Sequence, residues 1–251
     1  MVKFVQQGDL NCIQVCHPLG QAVVALQGAQ VLQYAPVGAE PVIWLSERVE
    51  YKSGQALRGG VPVCWPWFGD LSRNPDQIRE QYDLTSAPAH GWARTALWEL
   101  VRVDESARRV TLVLQVSENS LANAPTNIGV IPSLEIGVGA ALTLKLGNRN
   151  ASTKPAMLSQ ALHTYLAVSD INNVEIAGLE GVPYIDTVGQ WHEMRSNNPI
   201  RLSAETDRIY QGDVAHVQLQ DSGWNRTLHI KTQHSRSLVL WNPHIEKSMR
   251  F

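Results

Sequence analysis

What most restricts the fold of this chain is that helical periodicity is almost missing from a sequence crowded with short strand-like runs. β-Branched, aromatic or alternating stretches recur at 21–26, 28–34, 42–45, 97–103, 110–116, 134–146, 157–166, 174–179, 214–219, 226–232 and 237–241. Such residues suit a pleated, half-buried backbone. Within 110–116, Val110, Leu112, Leu114 and Val116 alternate with Thr111, Val113 and Gln115, so one face of that strand meets a core while the other stays nearer water. Leu228 and Ile230 stand against Thr227, His229 and Lys231 in the same way. Only 73–83 (RNPDQIREQYD) reads as helix, with Pro75 suited to a first turn. Many strands joined by polar, Gly- or Asn-bearing connections, without crossover helices, predict an all-β chain folded as a large antiparallel β-sandwich. Segment 118–133 lacks a period and reads as a long excursion between strands. The 251 residues contain no linker, repeat or low-complexity stretch, so a single domain over 1–251 is expected.

Charge and composition remove several function classes. A net charge of −2 provides no global positive field for nucleic acid or an anionic membrane, so any anion must be held by a local basic cluster. Cys12, Cys16 and Cys64 form no CxxC pair, which predicts reduced thiols and a cytoplasmic location. No signal-length apolar stretch follows Met1, and no 18-residue uncharged apolar run occurs, so neither export nor a spanning helix is expected. The eight histidines form no HxH or HExxH pattern, so no metal site is expected. Walker, GxGxxG and GxSxG patterns are also missing, which leaves nucleotide cofactors and serine hydrolysis unsupported.

Three segments concentrate chemistry. In 58–69 (RGGVPVCWPWFG), Gly59 and Gly60 permit positive φ, while Pro62 and Pro66 stiffen the chain. That composition fits a rigid buried turn, and equally a stiff aromatic wall that presents Arg58 to a sugar-like ligand. In 88–94 (PAHGWAR), His90 and Arg94 flank Gly91 and Trp92; a tight turn brings both into one cleft, or leaves both solvated. In 159–165, strand alternation puts Ala161, His163 and Tyr165 on one face. A histidine there is either a satisfied structural residue or a group that titrates near neutrality with modest tuning. Further along, GLEGVPYIDT, ETDRIY and LWNPHIEKS mix acids with turn residues. Asp186 there faces either solvent or a cleft, and Asp207 and Arg208 could pair across a turn.

Taken in order, RGGVPVCWPWFG, AHGWAR, LHTYLAVSDI, GLEGVPYID, ETDRIY and WNPHIEKS resemble the hexose-6-phosphate mutarotases, the glucose-6-phosphate 1-epimerase branch of the aldose epimerase (galactose mutarotase-like) superfamily. The resemblance runs from about residue 20 to the end of the chain. It implies a galactose mutarotase-like supersandwich, no cofactor, and reversible interconversion of the α and β anomers of a hexopyranose phosphate; a monomer is expected. It makes His163 the general acid, Arg58 and Arg94 the phosphate clamp, His90 a sugar contact, and Asp186 an acid near the sugar hydroxyls. The chemistry agrees, because anomer exchange needs one base at the anomeric hydroxyl and one acid at the ring oxygen. Guanidinium forks suit a phosphate that must be gripped at two oxygens.

The sequence departs from the family pattern in two places. The family's base is a glutamate on a strand after the WNPHIEKS-like segment, whereas here Glu246 belongs to that segment itself and the base role is not transferred to it. The domain is therefore read as lacking that C-terminal strand segment, which keeps open a sugar-phosphate binding module without turnover. His244 also replaces the aromatic residue usual after NP.

Overall fold

The computed structural model describes residues 1–82, 87–125 and 128–248, and the chain divides there into two compact units, Met1–Ala167 and Val168–Phe251. In the first unit β1 (Val2–Gln7), β2 (Leu10–His17), β3 (Gly20–Ala25) and β4 (Val31–Pro36) form one antiparallel sheet in chain order. The short β5 (Val63–Cys64) pairs with β10 (Ala161–Leu162). Between them β6 (Trp98–Glu105), β7 (Arg109–Val116), β8 (Val130–Gly139) and β9 (Leu142–Asn150) make a second antiparallel sheet. In the second unit β11 (Val174–Ala177), β15 (His216–Asp221) and β16 (Arg226–Lys231) form one sheet. The other, ordered β13-β12-β14-β17, contains β12 (Tyr184–Asp186), β13 (His192–Met194), β14 (Thr206–Gln211) and β17 (Ser237–Asn242). Among the described residues helix is limited to α1 (Asp76–Arg79), α2 (Glu118–Ala122), α3 (His244–Ser248) and two 3-10 turns. The all-β expectation holds, and no described helix is long and apolar enough to cross a membrane.

The core of the first unit lies between its two four-stranded sheets. Ile13, Val15, Ala22 and Val24 from one sheet meet Val110, Leu112, Leu114, Leu134 and Ile136 from the other, all essentially buried. This is the alternation read from 110–116, with the inward residues packed and Val113 and Gln115 less covered. The sheets approach so closely that a Cβ on Gly20 would lie 2.1 Å from the Gly139 carbonyl oxygen, which also accepts the Tyr34 hydroxyl at 3.0 Å. Trp65, Trp67, Trp92 and Trp98 fill the end of this core nearest the three chemical segments.

Several boundaries differ from the sequence reading. The run 134–146 is two strands, because the chain reverses at Gly139–Ala141 with Gly139 N donating to the Ala141 carbonyl. The hairpin β1-β2 carried no clean alternation because both faces of β2 are covered: Ile13 and Val15 face the main core while Leu10 and Cys12 join a second cluster with Leu32 and Leu57. Most of 157–166 runs beside 60–66 through single main-chain bonds and only Ala161–Leu162 is strand. Pro75 caps α1 from outside the first turn. Its helix covers only part of 73–83, whose last residue lies outside the described residues, as do 126 and 127 of the 118–133 excursion.

Candidate active site

Main-chain hydrogen bonds gather the three chemical segments in the first unit. The segment 159–167 runs antiparallel to 60–66: Ser159 N donates to Pro66 O (3.1 Å), His163 N to Pro62 O (3.0 Å) and Tyr165 N to Gly60 O (3.0 Å). The 88–94 turn docks on the same stretch, with Trp92 N and Ala93 N both donating to Trp65 O and His90 N donating to Gly69 O. Gly91 makes this docking possible. It has φ of +71°, and a Cβ there would stand 2.0 Å from the Trp65 carbonyl oxygen. Indole N–H groups tie the turn further, from Trp67 to Pro88 O and from Trp98 to Ala93 O, each at 3.0 Å.

The result is a row of rings. His163 lies 5.7 Å from His90, edge to face, and 6.5 Å from Phe68, while Tyr165 stacks on His163 at 4.6 Å and 18°. Phe68 also contacts His90 at 5.1 Å, and Trp44 continues the row 6.0 Å beyond Tyr165. The Arg94 guanidinium is close enough for its charge to act on both histidines.

These surroundings separate the two imidazoles. Burial, followed by the charge of Arg94 and then by His163, pushes His90 down to about 4. Its Nδ1 accepts the Gly69 backbone N–H at 3.1 Å, so the neutral ring carries its proton on Nε2 and offers it as a donor. Burial also lowers His163, partly offset by a hydrogen bond to its own backbone, with Arg94 adding to the lowering. Cys64 beneath them is pushed up to about 12 by burial, so it is a protonated core residue.

His90, His163 and Arg94 are thus brought together. Arg58 is exposed on the neighbouring loop, where its carbonyl accepts Ser46 N at 3.1 Å. Its charge adds to the Lys52 hydrogen bond and charge that hold the Glu50 carboxyl below its ordinary range. Asp186 belongs to the second unit, at the end of β12, where its Oδ1 accepts Val188 N and Gly189 N at 3.1 and 2.9 Å. Asp207 and Arg208 do not pair across a turn; they are successive residues of β14 and point to opposite faces. Arg208 is opposite Asp186 in the strand register and lies over the Tyr184 ring at 4.8 Å. Local sequence named Arg208 only as a possible partner of Asp207, because the register that sets it opposite Asp186 comes from strand pairing. Trp44 was missed for the same reason: its ring contact with Tyr165 and the bond from its N–H to the Tyr165 carbonyl connect it to the histidines, and both arise from long-range pairing. Among the described residues no group of three or more histidine, cysteine or acidic side chains is arranged to hold a metal ion.

A family model described as aldose 1-epimerase matches residues 11–251. A Salmonella typhimurium protein named "putative glucose-6-phosphate 1-epimerase" is 36% identical over 241 residues, covering 95% of this chain and 76% of its own length. An Escherichia coli protein of the same name is 34% identical and covers 94% of this chain and 75% of itself. The crystal structure of YeaD from Salmonella typhimurium superposes with a TM-score of 0.83 at 34% identity, over 96% of this chain and 77% of that one. A galactose mutarotase-like protein from Clostridium acetobutylicum shares the fold at a TM-score of 0.75 and 12% identity.

Proposed function

The chain belongs to the aldose 1-epimerase family and is an isomerase of sugars, and from that premise we propose that it interconverts the α and β anomers of glucose 6-phosphate or a similar aldohexose phosphate. One observation carries the choice of substrate: His163 and Arg94 share one small cluster, with His90 beside them. In a hexopyranose 6-phosphate the ring oxygen and the phosphate-bearing carbon are both bonded to C5. An acid for the ring oxygen and a cation for the phosphate must therefore be neighbours.

In this reading His163 delivers a proton to the ring oxygen as a base takes the anomeric hydroxyl proton. The ring opens, the aldehyde rotates about its bond to C2, and reclosure on the other face returns the proton. General acid catalysis of this kind contributes about 10²–10⁴-fold. Arg94, with Arg58 from the adjacent loop, grips the phosphate; guanidinium stays charged throughout the working range. The phosphate dianion offsets the Arg94 field at His163 and so favours the imidazolium in the complex. His90, neutral and with its donor nitrogen fixed by Gly69, holds a sugar oxygen. Binding energy at the phosphate then orients C1 and the ring oxygen.

No cofactor is required, and the enzyme works as a cytoplasmic monomer in this proposal. Family membership does not favour the alternative of a binder without turnover. Exchange NMR on glucose 6-phosphate tests the reading. Wild-type protein should speed anomer exchange and His163→Ala should abolish the acceleration; binding without faster exchange in the wild type would refute it.

A further inference from the structure

Trp44 ends the ring row, and none of the roles above uses it. Trp44 is 40% exposed, and its ring centroid lies 6.0 Å from that of Tyr165, the residue stacked on His163. A single exposed apolar side chain is ordinary on a protein surface. This one continues a line of rings through Tyr165, His163 and His90.

Its seat is also closely specified. Trp44 N donates to Tyr165 O at 2.9 Å and Trp44 O accepts Gly60 N at 2.7 Å. A Cβ on Gly59 would come within 2.7 Å of the Trp44 carbonyl oxygen and 3.0 Å of its indole Cε3. Glycine at 59, held at φ of +94°, therefore lets the indole lie where it does. The Arg58-Gly59-Gly60 turn thus carries an arginine and at the same time seats a tryptophan and, through Gly60 O, the Tyr165 backbone.

We propose that Trp44 is a specificity-determining carbohydrate platform, whose indole face takes the C–H face of the bound hexose and holds the ring against Tyr165 and His163. The chemistry is that of a flat, polarisable apolar surface meeting the apolar face of a pyranose, while the hydroxyl edges turn to polar partners. A rigid aromatic wall orders the ring at little entropic cost because few torsions need to be frozen. The inference rests on the sugar-phosphate reading above and adds a residue to it.

The test is a fluorescence and NMR titration with glucose 6-phosphate on wild type, Trp44→Phe and Trp44→Ala, with circular dichroism confirming that each variant is folded. Wild-type tryptophan emission should change on saturation. Trp44→Phe should keep the affinity within about 3-fold, since a smaller ring still stacks, but lose most of the emission change. Trp44→Ala should weaken Kd and raise KM about 3–10-fold with kcat nearly unchanged, as expected for uniform binding. Full emission change in Trp44→Phe, or unchanged Kd and KM in folded Trp44→Ala, overturns the proposal. Should the alanine variant fail to fold, the phenylalanine emission result decides alone. Wild-type binding without exchange would sink the catalytic reading and leave the platform to be judged on Kd and emission.

Discussion

Replacing Gly91 by alanine should uncouple the 88–94 turn from the segment that carries the other site residues. The added Cβ would stand 2.0 Å from the Trp65 carbonyl oxygen, 2.4 Å from its carbonyl carbon and 2.8 Å from Pro66 N, all backbone atoms. Since separations below 3.0 Å are not sustained, one strand must shift by about 1 Å. The Trp65 carbonyl accepts Trp92 N at 3.1 Å and Ala93 N at 3.2 Å, so that shift takes both bonds beyond useful length. Two lost hydrogen bonds cost about 1–3 kcal/mol. Holding a non-glycine residue at φ of +71° adds about 1–2 kcal/mol. The total, about 2–5 kcal/mol, lowers Tm by about 4–20 °C for a chain of this size. Gly38→Ala is the control: its φ is +74° but nothing lies within 4 Å, so only the backbone term of about 1–2 kcal/mol applies. Circular dichroism melts of the two variants isolate the close approach by difference. His90 precedes residue 91, so a 1 Å displacement should also lower kcat/KM about 10²-fold. Equal Tm shifts for the two variants, or Gly91→Ala with wild-type kcat/KM, would refute the reasoning.

Other expectations use the same site. The His163 imidazolium of the unliganded enzyme is lost as pH rises through a value lowered below 6.5, so kcat/KM should fall with rising pH above that point, and a flat profile there would contradict the acid role. Arg94→Ala should raise KM for glucose 6-phosphate about 10–100-fold and leave free glucose nearly unaffected, whereas equal losses on both sugars in parallel assays would contradict a phosphate clamp. His90 is neutral when folded, with its pKa near 4 against about 6.5 unfolded. Its contribution to stability is therefore full above pH 6.5 and is lost as pH falls from 6.5 toward 4. At about 1.4 kcal/mol per pH unit, discounted because the ring is partly open to water, the loss is about 1–2 kcal/mol. Urea titrations of wild type and His90→Asn across that range should diverge above pH 6.5 and converge below pH 4. Trp98→Ala, at a fully buried indole bonded to Ala93 O, should cost about 3–5 kcal/mol in chemical denaturation.

The readable part of this protein was the part whose physics is local. Alternation along 110–116 marks a strand with one buried face because successive side chains leave a strand on opposite sides. The paired glycines of 58–69 and Gly91 announce backbone that other residues hold only under strain, and all three do have positive φ. Motif order carried the family. Where both faces of a strand are covered, as around Cys12 and Ile13, alternation vanishes and β2 could not be read.

Tertiary structure decided the partnerships. His163 meets His90 because Tyr165, His163 and Ser159 bond to Gly60, Pro62 and Pro66 while Trp92 and Ala93 share the Trp65 carbonyl. These bonds join main-chain groups that every residue type possesses, so no side chain in the sequence advertises them. Arg208 stands opposite Asp186, and Trp44 beside Tyr165, by the same kind of long-range register. The lowered pKa of His90 likewise follows from what folding buries around the ring, since an imidazole responds to solvent exclusion and nearby charge and not to its place in the chain.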